Sequence, residues 1–311
     1  TWEAKDVQQP STFKVDKQRS SGLINHLKYL VLDLFSSFRI RAFRLHIIIY
    51  IFSFTAMDVF GSVFTYYVVY CLSQDAAAVS GWLSIAAFAS VPGTYGFMLL
   101  LNRLNVSPSA ALRLSYGGIF FVLVFLFTVY LTKTQVPTLL FTAVFILLGA
   151  TRAGLYYIPW NIYSFIPDID EMVTQQRREG IFAGVMVLTR KSTVAIAIMI
   201  IGLVLQESGF VKGGGAQPES ALGAIIGLMI FATAALLAVS FFTTYKFKLT
   251  RETHKLLLKE IARRKLGGDY RDCDANTRVV IKQLTGYEYD QVWGGDAARR
   301  AVNNVGLSAA K

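Results

Sequence analysis

The amino-acid sequence predicts an all-α membrane protein built as a six-transmembrane-helix bundle. Three observations carry that expectation. Of 311 residues, 54% are hydrophobic and 16% charged, with a mean hydropathy of +0.46; a soluble domain of this size carries nearer a quarter charged residues. The apolar residues arrive in six blocks, 47–72, 80–102, 114–132, 138–166, 181–206 and 221–244. Each reaches or approaches the ~20 residues that a helix needs to cross roughly 30 Å of hydrocarbon. Basic residues, finally, keep to alternate connections. Lys and Arg number eight in residues 1–46, two around Arg103–Arg113, two in 167–180 and fourteen from Lys246 onward, against only Lys133 and Lys212 in the other loops. That asymmetry predicts cytoplasmic termini, with 73–79, 133–137 and 208–219 outside. It also accounts for the net charge of +11 without nucleic acid as a partner.

Taken in order, residues 1–21 are polar and read as a linker. Residues 22–46 interleave Leu30, Leu32, Phe35 and Phe38 with Arg39, Arg41 and Arg44, the pattern of an amphipathic helix lying at the cytoplasmic interface. Residues 1–46 are therefore expected to form a cytoplasmic linker, 47–245 the transmembrane bundle and 246–311 a cytoplasmic tail. In the tail, RETHKLLLKEIARRKLGG predicts a helix stopped at Gly267–Gly268, and ANTRVVIKQL a second ending at Gly286. The aromatic run Tyr287, Tyr289 and Trp293 is expected to pack the tail on its own helices. No secretory signal is visible, and the absence of an initiator Met predicts a trimmed chain or a fragment. Cys71 and Cys273 fall on a span end and in the tail, so no disulfide framework is expected.

Enzymatic chemistry finds no footing. There is no P-loop lysine, no serine–histidine–carboxylate set and no metal cluster, and His26, His46 and His254 are expected outside the spans. Neither an enzyme nor a cofactor is predicted. The informative residues are the charges within the spans, which are expensive there, about 2.5–3.5 kcal/mol each on insertion scales. Asp58, Arg152, Arg190 and Lys191 stand out. Asp58 and Lys191 lie some ten residues into spans entered from the same side, about 15 Å deep at ~1.5 Å per residue. They are expected to meet, either to fix helix packing or to line a pathway. Arg190 is about 100° round the helix from Lys191, so both cannot face the same partner and one of them is expected to snorkel or pair with another helix. Arg152 sits in LLGATRAGLYYIPWN, a span expected to be loosened by Gly149, Gly154 and Pro159, with Tyr156, Tyr157, Trp160 and Asn161 close behind. Aromatic faces beside an amide suit a carbohydrate pathway; Trp160 equally suits an interfacial belt.

The segment Phe165–Phe210 resembles the glycoside–pentoside–hexuronide:cation symporter family, the melibiose permease-like branch of the major facilitator superfamily. An acidic cluster closes one helix, an R-R-E-G turn follows, and a membrane lysine comes twelve residues after the glutamate. Asp168, Glu171, Arg177, Glu179 and Lys191 fall in that register. The stretch 41–70 and the tail are similar to the same family. The resemblance implies a chain corresponding to the C-terminal half of a major facilitator fold of twelve spans. It implies that Lys191 faces the cation and sugar region, that Tyr156 is a sugar-facing aromatic, and that the loop acids and Arg177 belong to a cytoplasmic gating network. The principal cation- and sugar-binding charges would lie in the N-terminal half. The loop NRLNVSPSAALRLSYGG departs from the family, keeping only Arg103 and Arg113 of a more basic turn.

The function expected is secondary active transport: symport of a sugar or glycoside with Na⁺ or H⁺, in a bacterial inner membrane, with an N-terminal six-helix half as partner. The alternatives are a carrier of a lipid or other amphiphile and a non-transporting six-helix scaffold or sensor.

Overall fold

The computed structural model describes residues 36–133, 136–213 and 215–293, so the interfacial helix expected within 22–46 lies largely outside the described residues. Every regular element among them is helical. Helix α1 (Arg41–Tyr66) runs on through a π-helical turn, Tyr67–Cys71. Then come α2 (Ala76–Asn102), α3 (Pro108–Thr132), α4 (Thr138–Tyr163), the short α5 (Ile166–Thr174) and α6 (Glu179–Glu207). Helix α7 (Glu219–Ile226) passes through a second π-turn, Gly227–Ala232, into α8 (Thr233–Lys246). The tail forms α9 (Arg251–Lys265) and α10 (Ala275–Thr285).

Six of these stretches are long and apolar enough to cross a membrane, beginning with Arg41–Cys71 and ending with Glu219–Lys246. The first starts earlier than expected because Arg41 and Arg44 are exposed on a turn whose Ala42, Phe43 and His46 are already buried. His46 is thus inside a span and fully buried, 6.4 Å from the Tyr50 ring, and not outside as the sequence predicted.

The interior organisation follows from which helices bury their apolar surface. The most apolar window of α1 is 61% buried and that of α4 50%, against 17% for α2 and 11% for α6. Helices α1 and α4 are therefore central. Helix α1 packs on α4, α6 and α8, while α4 packs on α2 and α3. Without a hydrophobic force between helices in lipid, close packing and interhelical hydrogen bonds must hold such a bundle. Both are present. Ser53 on α1 bonds Tyr116 Oη on α3 at 2.8 Å and donates to Ser240 Oγ on α8 at 3.2 Å, all three being buried. The Tyr67 hydroxyl donates to the Leu126 carbonyl at 2.7 Å.

The glycines of α4 were expected to loosen it, yet the helix is continuous from Thr138 to Tyr163, with Pro159 buried inside. Their role is contact. A methyl group on Gly149 would sit 2.0 Å from the Ala86 carbonyl oxygen, and one on Gly154 would sit 2.0 Å from Ser115 Oγ. Missing side chains let α2 and α3 lie against the α4 backbone.

Candidate functional site

Two helices present matched stripes with a spacing of four residues, the repeat that stacks side chains on one helix face. On α1 the stripe is Tyr50, Phe54 and Asp58; on α4 it is Arg152, Tyr156 and Trp160. The rings interlock. Phe54 meets Tyr156 edge-on at 4.7 Å, and Tyr50 meets Phe54 at 4.6 Å and Trp160 at 5.8 Å. Arg152 donates to the Tyr156 hydroxyl at 3.1 Å and lies 5.1 Å from that ring's centre.

Helix α6 closes the cluster with Arg190. Its guanidinium grips Asp58 through both terminal nitrogens, Nη2 to Oδ1 at 2.8 Å and Nη1 to Oδ2, and rests 5.3 Å from the Phe54 ring centre. The sequence expectation put Lys191 on Asp58; the structure corrects it. Lys191 is turned about one residue's rotation away, is exposed, and makes no ion pair among the described residues. The planar fork of an arginine matches a carboxylate in a way that an ammonium does not. Asn161 is half-buried; its backbone carbonyl accepts from Ser164 Oγ at 2.7 Å, and its side chain makes no hydrogen bond among the described residues. Trp160 belongs to the cluster while remaining 45% exposed.

A second charge cluster lies where the tail meets α5. Asp168 accepts from His254 Nε2 at 2.7 Å and pairs with Arg177 at 3.2 Å, while Phe165 stacks on the His254 ring at 4.3 Å. Asp170 accepts from Nε and Nη2 of Arg178, each at 2.8 Å, and Arg178 Nη1 also donates to Ser36 Oγ at 3.1 Å. Glu171 pairs with Lys265 at 2.5 Å, and Arg177 bonds Glu179. Asp168 and Glu171 are only 5% and 9% exposed because α9 lies across α5. Burial disfavours the Arg177 charge, yet the Asp168 and Glu179 carboxylates outweigh it and hold the guanidinium above its ordinary pKa. Sequence reasoning missed Asp170, Arg178, His254 and Lys265. The first two were legible as a second acid–arginine couple one position out of register. The tail partners had no local signal.

Comparison with known proteins bears on what these clusters serve. The model of the family described as MFS/sugar transport protein matches residues 29–251. The chain belongs to that family. The resemblance carried by Phe165–Phe210 therefore points to the correct superfamily, and six spans in an all-helical bundle are consistent with one half of this transporter fold. As an MFS/sugar transport protein, it is 30% identical over 271 residues to an uncharacterized symporter of Synechocystis sp., a match covering 81% of this chain. The chain spans about half the length of that relative, 46%.

Proposed function

We propose that this chain supplies one six-helix half of a symporter that moves a sugar or glycoside together with Na⁺ or H⁺ by alternating access. The observation that carries the reading is the Asp58–Arg190 pair set in an aromatic wall deep within the spans. A charge pair at that depth is costly, and such pairs mark substrate or ion paths. Flat aromatic faces beside hydrogen-bonding groups suit sugar rings. Membership of a sugar-transport family and a relative named a symporter support the same reading. On this proposal the remaining half of the transporter covers the exposed faces of α2 and α6, both termini are cytoplasmic, and the membrane is a bacterial inner membrane.

The test is cation-driven uptake of labelled sugars into proteoliposomes. The chain reconstituted with a partner half should accumulate sugar, and the chain alone should not. Neutralising Asp58 or Arg190 should abolish accumulation with protein level retained. Uptake by the purified chain alone would refute the half-transporter proposal.

A further inference from the structure

His46 lies in the first span and is fully buried within this chain alone. No other half of a transporter can therefore touch it while these helices stay packed. Neither ring nitrogen has a hydrogen-bond partner among the described residues. A neutral imidazole carries one N–H donor and one acceptor nitrogen. Buried without partners, such a group costs its full desolvation, a penalty that an apolar side chain of the same size does not carry. Nearly all buried polar groups in folded chains find partners. One that does not favours whatever arrangement lets it reach water.

The surroundings show which movement relieves it. His46 extends the Tyr50–Phe54–Asp58 stripe by one more step of four residues. Aromatic contacts bracket it along α1. On the Arg41 side Phe43 meets Phe182 of α6 at 4.9 Å, and on the other side Tyr50 meets Trp160 of α4 at 5.8 Å. The tail closes this end of the bundle. Helices α5 and α10 both pack on α1, and a methyl on Gly286, just past α10, would sit 3.1 Å from Arg41 Cβ. Water reaches the imidazole when α1 parts from α4 and α6 at this end and the tail lifts.

We propose that His46 is a load on the packed state of the bundle's Arg41 end: unsatisfied while buried and hydrated once that end opens, it shifts the balance toward opening. The inference rests on the alternating-access reading above, in which neither end of the molecule can be allowed to lock shut. No change of protonation is required, because the neutral ring gains both of its hydrogen bonds from water. A group with different free energies in two states moves the equilibrium between them by that difference.

The experiment uses the complete two-half transporter in a cysteine-free background, with Cys71 and Cys273 replaced by serine and Ala42→Cys as reporter. Ala42 is 3% exposed and lies one turn before His46 on the same helix face, so a thiol reagent reaches it when this end opens. His46→Leu, close to histidine in volume, should slow labelling of that cysteine roughly 5- to 100-fold, the penalty of an unsatisfied buried group. It should also raise the unfolding temperature by about 1–5 °C. His46→Gln keeps a polar group in need of partners and should label within about threefold of the parent. If His46→Leu labels as fast as the parent, or lowers the unfolding temperature, the ring nitrogens are satisfied where they stand and the inference fails, with sugar transport untouched. If His46→Gln slows labelling as much as His46→Leu, the effect belongs to packing and the inference fails again. Sugar uptake by the parent is measured alongside. Its absence would remove the transport reading, while the labelling rates would still decide whether His46 loads the packed state.

Discussion

Arg190 and Lys191 are adjacent, and only one of them can face Asp58 from a helix that turns about 100° per residue. Counting residues from a span's end gives depth well and azimuth poorly, which is why the sequence placed a cation opposite Asp58 and named the wrong one. The stripes Tyr50–Phe54–Asp58 and Arg152–Tyr156–Trp160 were legible in their spacing; which helix each faces was not, since that depends on packing between segments about a hundred residues apart. A double-mutant cycle separates the two cations. Asp58→Asn and Arg190→Gln, each leaving a charge unpaired, should each destabilise the purified transporter, and together by about 1–3 kcal/mol less than their sum. Asp58→Asn with Lys191→Gln should be additive within about 0.5 kcal/mol. Thermal unfolding in detergent reads both. Coupling to Lys191 instead of Arg190 would restore the sequence-based pairing.

Helices α2 and α4 approach so closely because Gly149 and Gly93 present backbone to backbone, a methyl on Gly93 falling 2.7 Å from Ala150 Cα. Gly149→Ala should therefore cost about 1–3 kcal/mol through overpacking. Gly117→Ala meets nothing within 4 Å and should be neutral or stabilising by up to about 1 kcal/mol. Thermal unfolding of the two variants side by side distinguishes contact from flexibility, the role that the sequence alone assigned to the α4 glycines. The tail allows a second test at this scale. Burial would raise the Glu260 carboxyl, but hydrogen bonds from Arg263 and Tyr289 overcome it and hold its pKa below the ordinary value of 4.5. A carboxyl depressed on folding contributes stability that is complete above the ordinary value and lost as pH falls through the lower, folded one. Hydrogen-exchange protection across α9 and α10, taken relative to the intrinsic rate at each pH, should accordingly fall below about pH 4.5, and Glu260→Gln should flatten that dependence. An unchanged profile in the variant would show that Glu260 is not the source of the acid sensitivity.

Six spans were visible in the sequence because hydrocarbon leaves a chain few options: every backbone group must be bonded internally, over a fixed thickness. The tail's seat on α5 was not, because ion pairs such as His254–Asp168 and Lys265–Glu171 join segments that no periodicity relates. Orientation is testable in a background of Cys71→Ser and Cys273→Ser. A membrane-impermeant thiol reagent added to intact cells should label Lys212→Cys and spare Lys282→Cys until the cells are opened. The reverse order would invert the topology. The two π-turns have their own bearing on the assembly. Each is in effect one residue spliced into an α-helix, and the second, Gly227–Ala232, packs on α1. That splice sets the clock position of everything after it, including Ser240, whose hydroxyl reaches both Ser53 and the Ile49 carbonyl. Deleting one residue there would return the helix to a regular winding and swing Ser240 by about 100°. The seam between the first and last spans would then close on a leucine or phenylalanine edge in place of its buried hydroxyls.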